Sequence, residues 1–216
     1  MPDPGQFALF FAAALLLALT PGPGIFYVAA RTRAGGRAEG VVSSFGTGLG
    51  GMVHVLAGSM GVSVLVLASA ELFTALKLLG TAYLVWLGLR TILTARRDAL
   101  AAAAGQAGAP PVGVHRAFRE GVLVEALNPK TAVFFLAFVP QFVDPAAGSV
   151  ALQFAGLGIV SVALNTAADV LVAFAAGGVR AGLGGRPGLV RRLREASGAA
   201  MIALGLGLLL ARRPAT

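Results

Sequence analysis

The sequence contains no cysteine, 2 histidines and few charged residues. Without thiols there is no disulfide framework, no thiolate metal site and no redox dithiol. Asp, Glu, Lys and Arg make up 12% of the 216 residues, whereas a soluble domain has about 25%. A hydrophobic fraction of 57% accompanies this shortage. This composition predicts an all-α protein that is embedded in a membrane.

The sequence signatures of common enzymes are also missing. There is no HExxH zinc motif, no phosphate-binding P-loop and no cysteine nucleophile, and His54 is the one histidine inside an apolar run that a serine could use. The sequence also argues against metal transport, because the apolar runs hold few carboxylates and no thiolates that could bind a metal ion. We therefore predict neither an enzyme nor a protein with a metal or cofactor.

The formal net charge of +8 and the pI near 11.4 first suggest a nucleic-acid partner. The arginines, however, cluster next to the apolar runs, as in the cytoplasmic loops of membrane proteins. We interpret the charge as a marker of topology and predict no nucleic acid. The first run begins near Phe7 with no Lys or Arg before it, so it lacks the charged start of a cleaved signal peptide.

Six apolar runs approach or exceed the length of about 20 residues that crosses a bilayer. They are Phe7–Val28, Val41–Leu67, Leu72–Leu93, Gly121–Val143, Val150–Ala176 and Ala196–Ala211. The last run is the shortest, contains several glycines and fits a tilted or re-entrant helix as well as a spanning one. The sequence therefore predicts six transmembrane helices.

Twelve arginines lie in the connections that follow spans one, three and five. These are Arg31, Arg33, Arg37, Arg96, Arg97, Arg116, Arg119, Arg180, Arg186, Arg191, Arg192 and Arg194. The N-terminus and the even-numbered connections hold acids such as Asp3, Glu71 and Asp144 instead. The positive-inside rule then places the N-terminus outside a bacterial cytoplasmic (inner) membrane. Arg212 and Arg213 conflict with this orientation.

An Ala-Gly-Pro-rich stretch near the middle of the chain predicts a flexible linker, at about residues 95–116. It divides a single membrane domain, residues 1–216, into repeat 1 (about 1–94) and repeat 2 (about 117–216). Three helices per repeat is an odd number, so the second repeat would enter the membrane in the opposite orientation. Inverted repeats of this kind are typical of secondary transporters.

Each predicted repeat has one span interrupted by proline. The first span contains Leu19-Thr20-Pro21-Gly22-Pro23-Gly24 and the fourth contains Leu127-Asn128-Pro129-Lys130. A proline lacks an N–H and its ring clashes with the carbonyl four residues earlier. The carbonyls of Leu17, Leu19 and Glu125 are therefore expected to lose their helical partners. Two discontinuous helices in matching positions indicate a substrate site, whereas the alternative is a pair of structural kinks.

The half-helix after each interruption offers amide groups and a positive dipole end, which suit a carboxylate. The predicted substrate-binding residues include both interruptions and two polar residues of the fifth span. They are Thr20, Pro21, Gly22, Pro23, Asn128, Pro129, Lys130, Asn165 and Asp169.

Charged groups inside a span are costly, so each is a functional candidate. Asp169 could balance a substrate ammonium, carry a proton, or pair with a basic residue such as Lys130. Lys130 could bind a carboxylate or pair with Asp169 or Glu125. Glu125 and His54 are further proton-carrier candidates. Glu125 could instead snorkel at the cytoplasmic end of its span, and His54 could be a hydrogen-bonded packing residue.

The remaining polar and small residues have simpler interpretations. Lys77 and Arg90 lie near opposite ends of span three and are expected to snorkel, whereas Tyr83 and Trp86 are expected to pack or anchor the helix. Glycines in spans two and five favour close helix packing and would permit, without requiring, a homodimer.

The ordered motifs resemble those of the LysE/RhtB amino-acid exporters over nearly the whole chain. The matching residues are Thr20-Pro21-Gly22-Pro23, Gly36-Arg37, Gly40, Gly46, Gly50, His54, Leu76-Lys77, Gly80, Tyr83-Leu84, Leu87-Gly88, Phe118, Gly121, Asn128-Pro129-Lys130, Phe134-Phe135, Phe138, Pro140-Gln141-Phe142 and Asp169. Two positions depart from the family pattern. Gly24 stands where many members have Asn or Asp, and Glu125 stands where Asn is frequent, so the resemblance does not fix the substrate.

The resemblance implies an inner-membrane exporter of amino acids or close derivatives. Such an exporter would be driven by protons or the membrane potential, without ATP hydrolysis in this chain, and its partners would be a small-molecule substrate and the lipid bilayer. Two other classes stay open at this stage. One is a passive channel or small-ion carrier that uses the same interruptions, and the other is a membrane scaffold without transport of its own.

Overall fold

A computed structural model describes residues 4–68, 70–104, 110–178 and 187–210. Within these ranges the chain is helical and contains no strand. The α-helices are α1 (Pro4–Leu19), α2 (Pro23–Ala68), α3 (Ala70–Ala104), α4 (Val114–Ala126), α5 (Pro129–Val133), α6 (Val150–Gly178) and α7 (Pro187–Leu210).

The first predicted span, Phe7–Val28, is interrupted between α1 and α2. The Thr20 amide donates to Leu17 O at 3.1 Å, and the Thr20 hydroxyl donates to Leu16 O at 2.6 Å, which closes the end of α1. Helical bonding resumes where the Phe26 amide donates to Gly22 O. The prolines at 21 and 23 explain the gap, since neither can donate to the preceding turn.

Helix α2 is two helices joined at Gly36, which has φ 80° and ψ −174°. Only glycine adopts this conformation without strain. The predicted connection between spans one and two is therefore helical on both sides of a single residue. We call residues 23–35 the first arm of α2 and residues 37–68 its second arm.

The fourth predicted span is also broken. Helix α4 ends before Asn128, whose side chain accepts a hydrogen bond from the Lys130 amide and so begins α5. The chain then passes through a π-helical turn, Phe134–Phe138, and a 3-10 turn, Val139–Phe142. The axes on the two sides of the break differ by 44°. Pro140, which cannot donate to the preceding turn, accounts for the irregular second half.

Two helices extend beyond the predicted spans. Helix α3 continues to Ala104, so the first part of the predicted linker is helical, while residues 105–109 lie outside the described residues. Helix α7 begins at Pro187 and has 24 residues, more than the 16 of the predicted sixth span. Proline is favoured at a helix start because it has no N–H to leave unpaired there. Arg180, Arg186, Arg212 and Arg213 lie outside the described residues.

Three stretches of the described helices are long and apolar enough to cross a membrane. They are Pro23–Gly61, Lys77–Arg97 and Val150–Ala175, and the bent pair Val114–Ala126 with Pro129–Phe142 makes a fourth. Helix α1 alone has 16 residues, which is short of the usual crossing length of about 20. The described helices therefore supply fewer continuous spans than the six predicted: two predicted spans are broken or bent, and α7, the predicted sixth span, is not among these stretches.

Helix α2 packs against α4 and α6, and α3 packs against α7. Glycine permits the closest approaches. A Cβ on Gly88 would lie 2.5 Å from Gly198 O, and a Cβ on Gly198 would lie 2.5 Å from Gly88 O. Gly46 faces the Phe118 carbonyl of α4 in the same manner. Close main-chain contact of this kind is how helices associate in lipid, where apolar burial gains little.

Candidate functional site

The two helix breaks lie against each other, joined by Lys130. Its ammonium donates to Leu17 O at 3.2 Å and to Thr20 O at 3.0 Å, across the gap between α1 and α2. The bond to Leu17 O replaces the helical donor that Pro21 cannot supply, and the same carbonyl also accepts from the Thr20 amide. Lys130 is 3% exposed. The sequence predicted that it would bind a carboxylate or pair with Asp169 or Glu125. Its hydrogen bonds instead go to two main-chain oxygens, one of which, Leu17 O, was expected to lose its helical partner.

Glu125 bridges the second break. Its carboxylate accepts hydrogen bonds from Asn128 Nδ2 at 2.9 Å and from Thr131 Oγ1 at 2.6 Å, and both donors follow the break. The residue is 2% exposed. The alternative in which Glu125 snorkels at the cytoplasmic end of its span is therefore wrong. The donors beyond the break hold the carboxylate inside the protein.

His54 lies on the main chain of the same break. Its Nε2 is 2.9 Å from Glu125 O, the carbonyl that Pro129 deprives of its helical donor. With Nε2 as the donor, the imidazole replaces that missing hydrogen bond. The ring also stacks on Phe135, with centroids 6.0 Å apart and planes 13° from parallel. This geometry is that of a packing histidine, which the sequence analysis named as an alternative.

Asp169 is buried on α6 and accepts a 2.7 Å hydrogen bond from Thr47 Oγ1 of α2. Gly24, at the start of α2, lies beside it. An added Cβ on Gly24 would be 3.8 Å from Asp169 Oδ2 and 2.9 Å from Glu125 Oε2. The two carboxylates are therefore neighbours on either side of a residue that has no side chain.

We call the small cavity between these groups the chamber. It is enclosed by α1, α2, α4, α5, α6 and the π-helical turn, and its polar lining comes from both predicted repeats. The polar residues in its wall are Thr47, Glu125, Thr131, Ser161, Asn165, Thr166 and Asp169. The volume is about 10 Å³, which is room for roughly one water molecule. In this conformation the chamber is closed to anything larger.

We call the larger cavity on the other side of Lys130 the vestibule, with a volume of about 280 Å³. Both helix breaks line it, and α3 and α7 complete it with arginines. Its lining residues are Pro21, Gly22, Pro23, Phe26, Leu87, Arg90, Thr91, Thr94, Arg97, Asn128, Pro129, Lys130, Arg194 and Met201. Lys130 lines the vestibule and bonds to the carbonyl of Leu17, which lines the chamber. The lysine thus stands in the partition between the two cavities.

The structure brings the predicted residues together in two groups. Pro21, Gly22 and Pro23 line the vestibule with Asn128, Pro129 and Lys130. Asn165 and Asp169 line the chamber. The hydroxyl of Thr20 is directed back to α1, and only its carbonyl takes part in the Lys130 contacts.

Arg90 was expected to snorkel, but it lines the vestibule. Its guanidinium carbon is 5.4 Å from the centre of the Trp86 ring, which in turn packs on Tyr83. From the sequence, Arg97 and Arg194 are interpreted only as residues of cytoplasmic connections that mark the membrane topology. Their positions in the sequence do not predict that they share a cavity, because that depends on how α3 and α7 pack together.

One contact that the sequence did not predict lies at the start of α4, and we call it the Glu39 clasp. Glu39 Oε1 accepts hydrogen bonds from the amides of Val112 and Gly113, at 3.0 and 2.7 Å, and so fastens the start of α4 to α2. Arg31 Nη1 lies 4.0 Å from Glu39 Oε2, and both side chains are buried. The sequence signal for this contact was that Glu39 is an acidic residue among the arginines that follow span one.

Tyr27 ties the first arm of α2 to α4. Its hydroxyl lies 2.9 Å from Ala117 O and 3.2 Å from Glu120 Oε2. Arg116 pairs with the same Glu120 at 2.7 Å. Together with the Glu39 clasp, these contacts join the two predicted repeats at the start of α4.

A protein-family model described as LysE type translocator matches residues 15–212. An uncharacterized membrane protein of Pseudomonas aeruginosa is 36% identical over 162 residues, 74% of this chain and 75% of the relative. A leucine efflux protein of Klebsiella pneumoniae is 29% identical over 142 residues, 64% of each chain. A homoserine/homoserine lactone efflux protein of Salmonella typhimurium is 29% identical over 205 residues, 94% of this chain and 95% of the relative. No solved structure matches the chain.

Proposed function

Because this chain belongs to the LysE-type translocator family, we propose that it exports a small amino acid or a close derivative across the bacterial cytoplasmic membrane. The relatives named for efflux of leucine and of homoserine support this substrate class. The single observation that carries the proposal is the contact of the two helix breaks through Lys130, with Asp169 and Glu125 buried beside it.

The proposed architecture has six spans in two inverted repeats. Spans one and four are the broken ones: α1 with the first arm of α2, and α4 with residues 129–142. The second arm of α2 and α6 are spans two and five, and α3 and α7 are spans three and six. The packing of α2 on α6 and of α3 on α7, each helix against its counterpart, supports this arrangement. Glycines with positive φ lie after both broken spans: Gly36 directly after the first, and Gly148 in the connection between the fourth span and α6.

In the proposed orientation the N-terminus is outside. The arginine-bearing ends of α3 and α7, and with them the vestibule, then face the cytoplasm. The chamber lies beyond the partition, so this conformation is closed to the outside. A topology reporter fused after Arg213 is expected to be external, and an internal reporter would contradict a sixth span.

The substrate ammonium is proposed to bind between Asp169 and Glu125, beside Thr47 and Asn165. Lys130 already donates to the carbonyls of Leu17 and Thr20 at the first break, so the buried carboxylates are proposed as the partners of the positive group. The substrate carboxylate would be held near the start of α2 and Lys130. Binding requires the chamber to enlarge and Lys130 to leave the partition, which is a step of alternating access.

The energy source is proposed to be the proton gradient or the membrane potential. Two neighbouring carboxylates in a dry chamber repel each other when both are ionised, so a proton or a substrate cation must offset one of them. If the proton and the substrate cation bind at these carboxylates in turn, the entry of a proton is coupled to the exit of a substrate molecule. A passive channel would need a continuous water path, which the closed chamber and the Lys130 partition do not provide in this conformation.

The test is efflux from cells loaded with leucine- or homoserine-containing dipeptides. Asp169→Asn is expected to abolish efflux while the protein inserts at its normal level. The matched control is Glu195→Gln, an exposed acid paired with Arg191 on α7. Normal efflux by Asp169→Asn would contradict the role of Asp169. Purified protein in liposomes separates the other classes: saturable transport that a protonophore abolishes supports the exporter, non-saturating flux would identify a channel, and no flux a scaffold.

A further inference from the structure

The vestibule is lined by four basic side chains: Arg90 and Arg97 of α3, Arg194 of α7, and Lys130. We propose that it is an anion-binding site where the carboxylate of a substrate is first captured, before the substrate reaches the chamber. The proposal deepens the exporter function, but it can be tested by binding alone.

The electrostatics of the vestibule favour a carboxylate or another oxyanion. Among the described residues its lining includes no acidic side chain. Arginine keeps its charge at any physiological pH, and its planar guanidinium binds carboxylates through two parallel hydrogen bonds. A concave site lined by one sign of charge focuses the field and concentrates ions of the opposite sign. Helix α2 begins in the same wall and adds its positive end.

Arg194 is held in place by an aromatic ring. Its guanidinium carbon is 4.4 Å from the centre of Phe26, and both residues line the vestibule. Stacking uses the face of the guanidinium, whereas carboxylates are recognised along its edge. The stack therefore fixes the position of the charge through the face of the guanidinium.

The size of the vestibule suits a small ligand. Its volume of about 280 Å³ is near the lower end of ligand pockets, about 300 Å³, whereas the chamber holds about one water. Two sources of oxyanion fit this chemistry: the carboxylate of an amino acid and the phosphate of an anionic lipid headgroup. The experiment separates them.

The chain supplies its own reporter, because Trp86 is its single tryptophan and lies beside Arg90. The full-length protein in phosphatidylcholine nanodiscs is titrated with acetate or with methylammonium at constant ionic strength, and Trp86 fluorescence is recorded. Acetate has the carboxylate of an amino acid without its ammonium, and methylammonium has the ammonium without the carboxylate. We expect a saturable response to acetate and none to methylammonium.

Neighbouring arginines outside the vestibule provide matched controls. Arg97→Gln and Arg194→Gln are each expected to weaken acetate binding about tenfold, as for the loss of one charge-assisted hydrogen bond. Arg96→Gln and Arg192→Gln change exposed arginines of the same two helices that do not line the vestibule. They are expected to leave the acetate affinity unchanged. Equal effects of the two pairs would overturn the proposal, as would equal responses to acetate and methylammonium.

Nanodiscs containing about one third phosphatidylglycerol distinguish the sources of anion. An unchanged acetate affinity supports capture of the substrate carboxylate. Loss of the acetate response in these discs would assign the vestibule to a lipid headgroup and overturn its role in capture. Because no step of the assay requires transport, efflux that fails while acetate binds would reject the exporter function and keep the anion site.

Discussion

Glu125 Oε2 lies 2.9 Å from the position that a Cβ on Gly24 would take. The carboxylate of the fourth proposed span thus fills the side-chain space of a residue at the first break. Asn128 Nδ2 donates to Oε2 of this carboxylate and Thr131 Oγ1 donates to Oε1, and the two hydrogen bonds hold it there. The two positions at which this chain departs from the exporter family pattern are therefore in contact, and a change at one must be accommodated at the other.

Gly24→Ala is expected to lower the free energy of unfolding by about 1–3 kcal/mol, as for overpacking at a well-filled site. The cause is that the new methyl group would displace a carboxylate that two donors hold. Thermal unfolding of the purified protein in detergent measures the effect, together with efflux. Gly156→Ala is the control, since a Cβ there has no neighbour within 4 Å. Equal unfolding temperatures for the two variants would refute a tight contact at Gly24.

A charge exchange tests the same contact further. Gly24→Asp places a third carboxylate beside Glu125 and Asp169, so repulsion should prevent folding or efflux. In the double variant Gly24→Asp with Glu125→Asn, the new aspartate takes the space and charge that Glu125 supplied. We expect this double variant to recover part of the stability and efflux. Purely additive losses would show that the two positions are independent.

Lys130→Met removes the ammonium that caps the carbonyls of Leu17 and Thr20 while keeping most of the side-chain volume. Hydrogen bonds from charged donors contribute about 1.5–3 kcal/mol each, so the loss should lower the unfolding temperature clearly and abolish efflux. Arg33→Met, an exposed basic residue on α2, serves as the control. A Lys130→Met protein with unchanged stability would mean that the partition does not depend on the ammonium.

His54→Gln and His54→Phe separate packing from proton transfer. Glutamine can still donate to Glu125 O but cannot titrate, whereas phenylalanine can stack on Phe135 but cannot donate. We expect efflux and its pH dependence to survive in His54→Gln. His54→Phe should lose about 0.5–1.5 kcal/mol of stability because it removes one of two hydrogen bonds to Glu125 O, which keeps its bond from the Asn128 amide. Loss of efflux in a stable His54→Gln protein would instead make His54 a proton carrier.

Glu39→Ala opens the Glu39 clasp. It leaves the buried Arg31 without its carboxylate and the amides of Val112 and Gly113 without an acceptor. Removal of one partner from a buried ion pair lowers stability by about 3–5 kcal/mol. Hydrogen exchange at the start of α4 should also become faster. The matched control, Glu195→Ala in the exposed Arg191–Glu195 pair, should change stability by about 1 kcal/mol or less.

The helix breaks could be located from the sequence because proline acts on its own turn. Pro21, Pro23 and Pro129 stop helical hydrogen bonding at fixed neighbours, whatever the rest of the chain does. The membrane class and the family were equally accessible, since they depend on composition and on the order of motifs. The exact helix ends were harder to predict from the sequence. Helix α3 continues to Ala104, because alanine favours helix even in a stretch whose composition suggested a linker.

The sequence by itself determined that this is a helical membrane protein of the LysE-type translocator family, with helical hydrogen bonding interrupted at two proline-containing breaks. Only the tertiary structure decided which side chains serve those breaks. Lys130 donates to carbonyls 113 and 110 positions away in the chain, and His54 and Glu39 make contacts across 71 and 73 positions. Helical periodicity identifies the residues that share a face, but it does not identify the helix opposite that face. Close approach at glycines selects the opposite helix, and with it the partner of each buried charge.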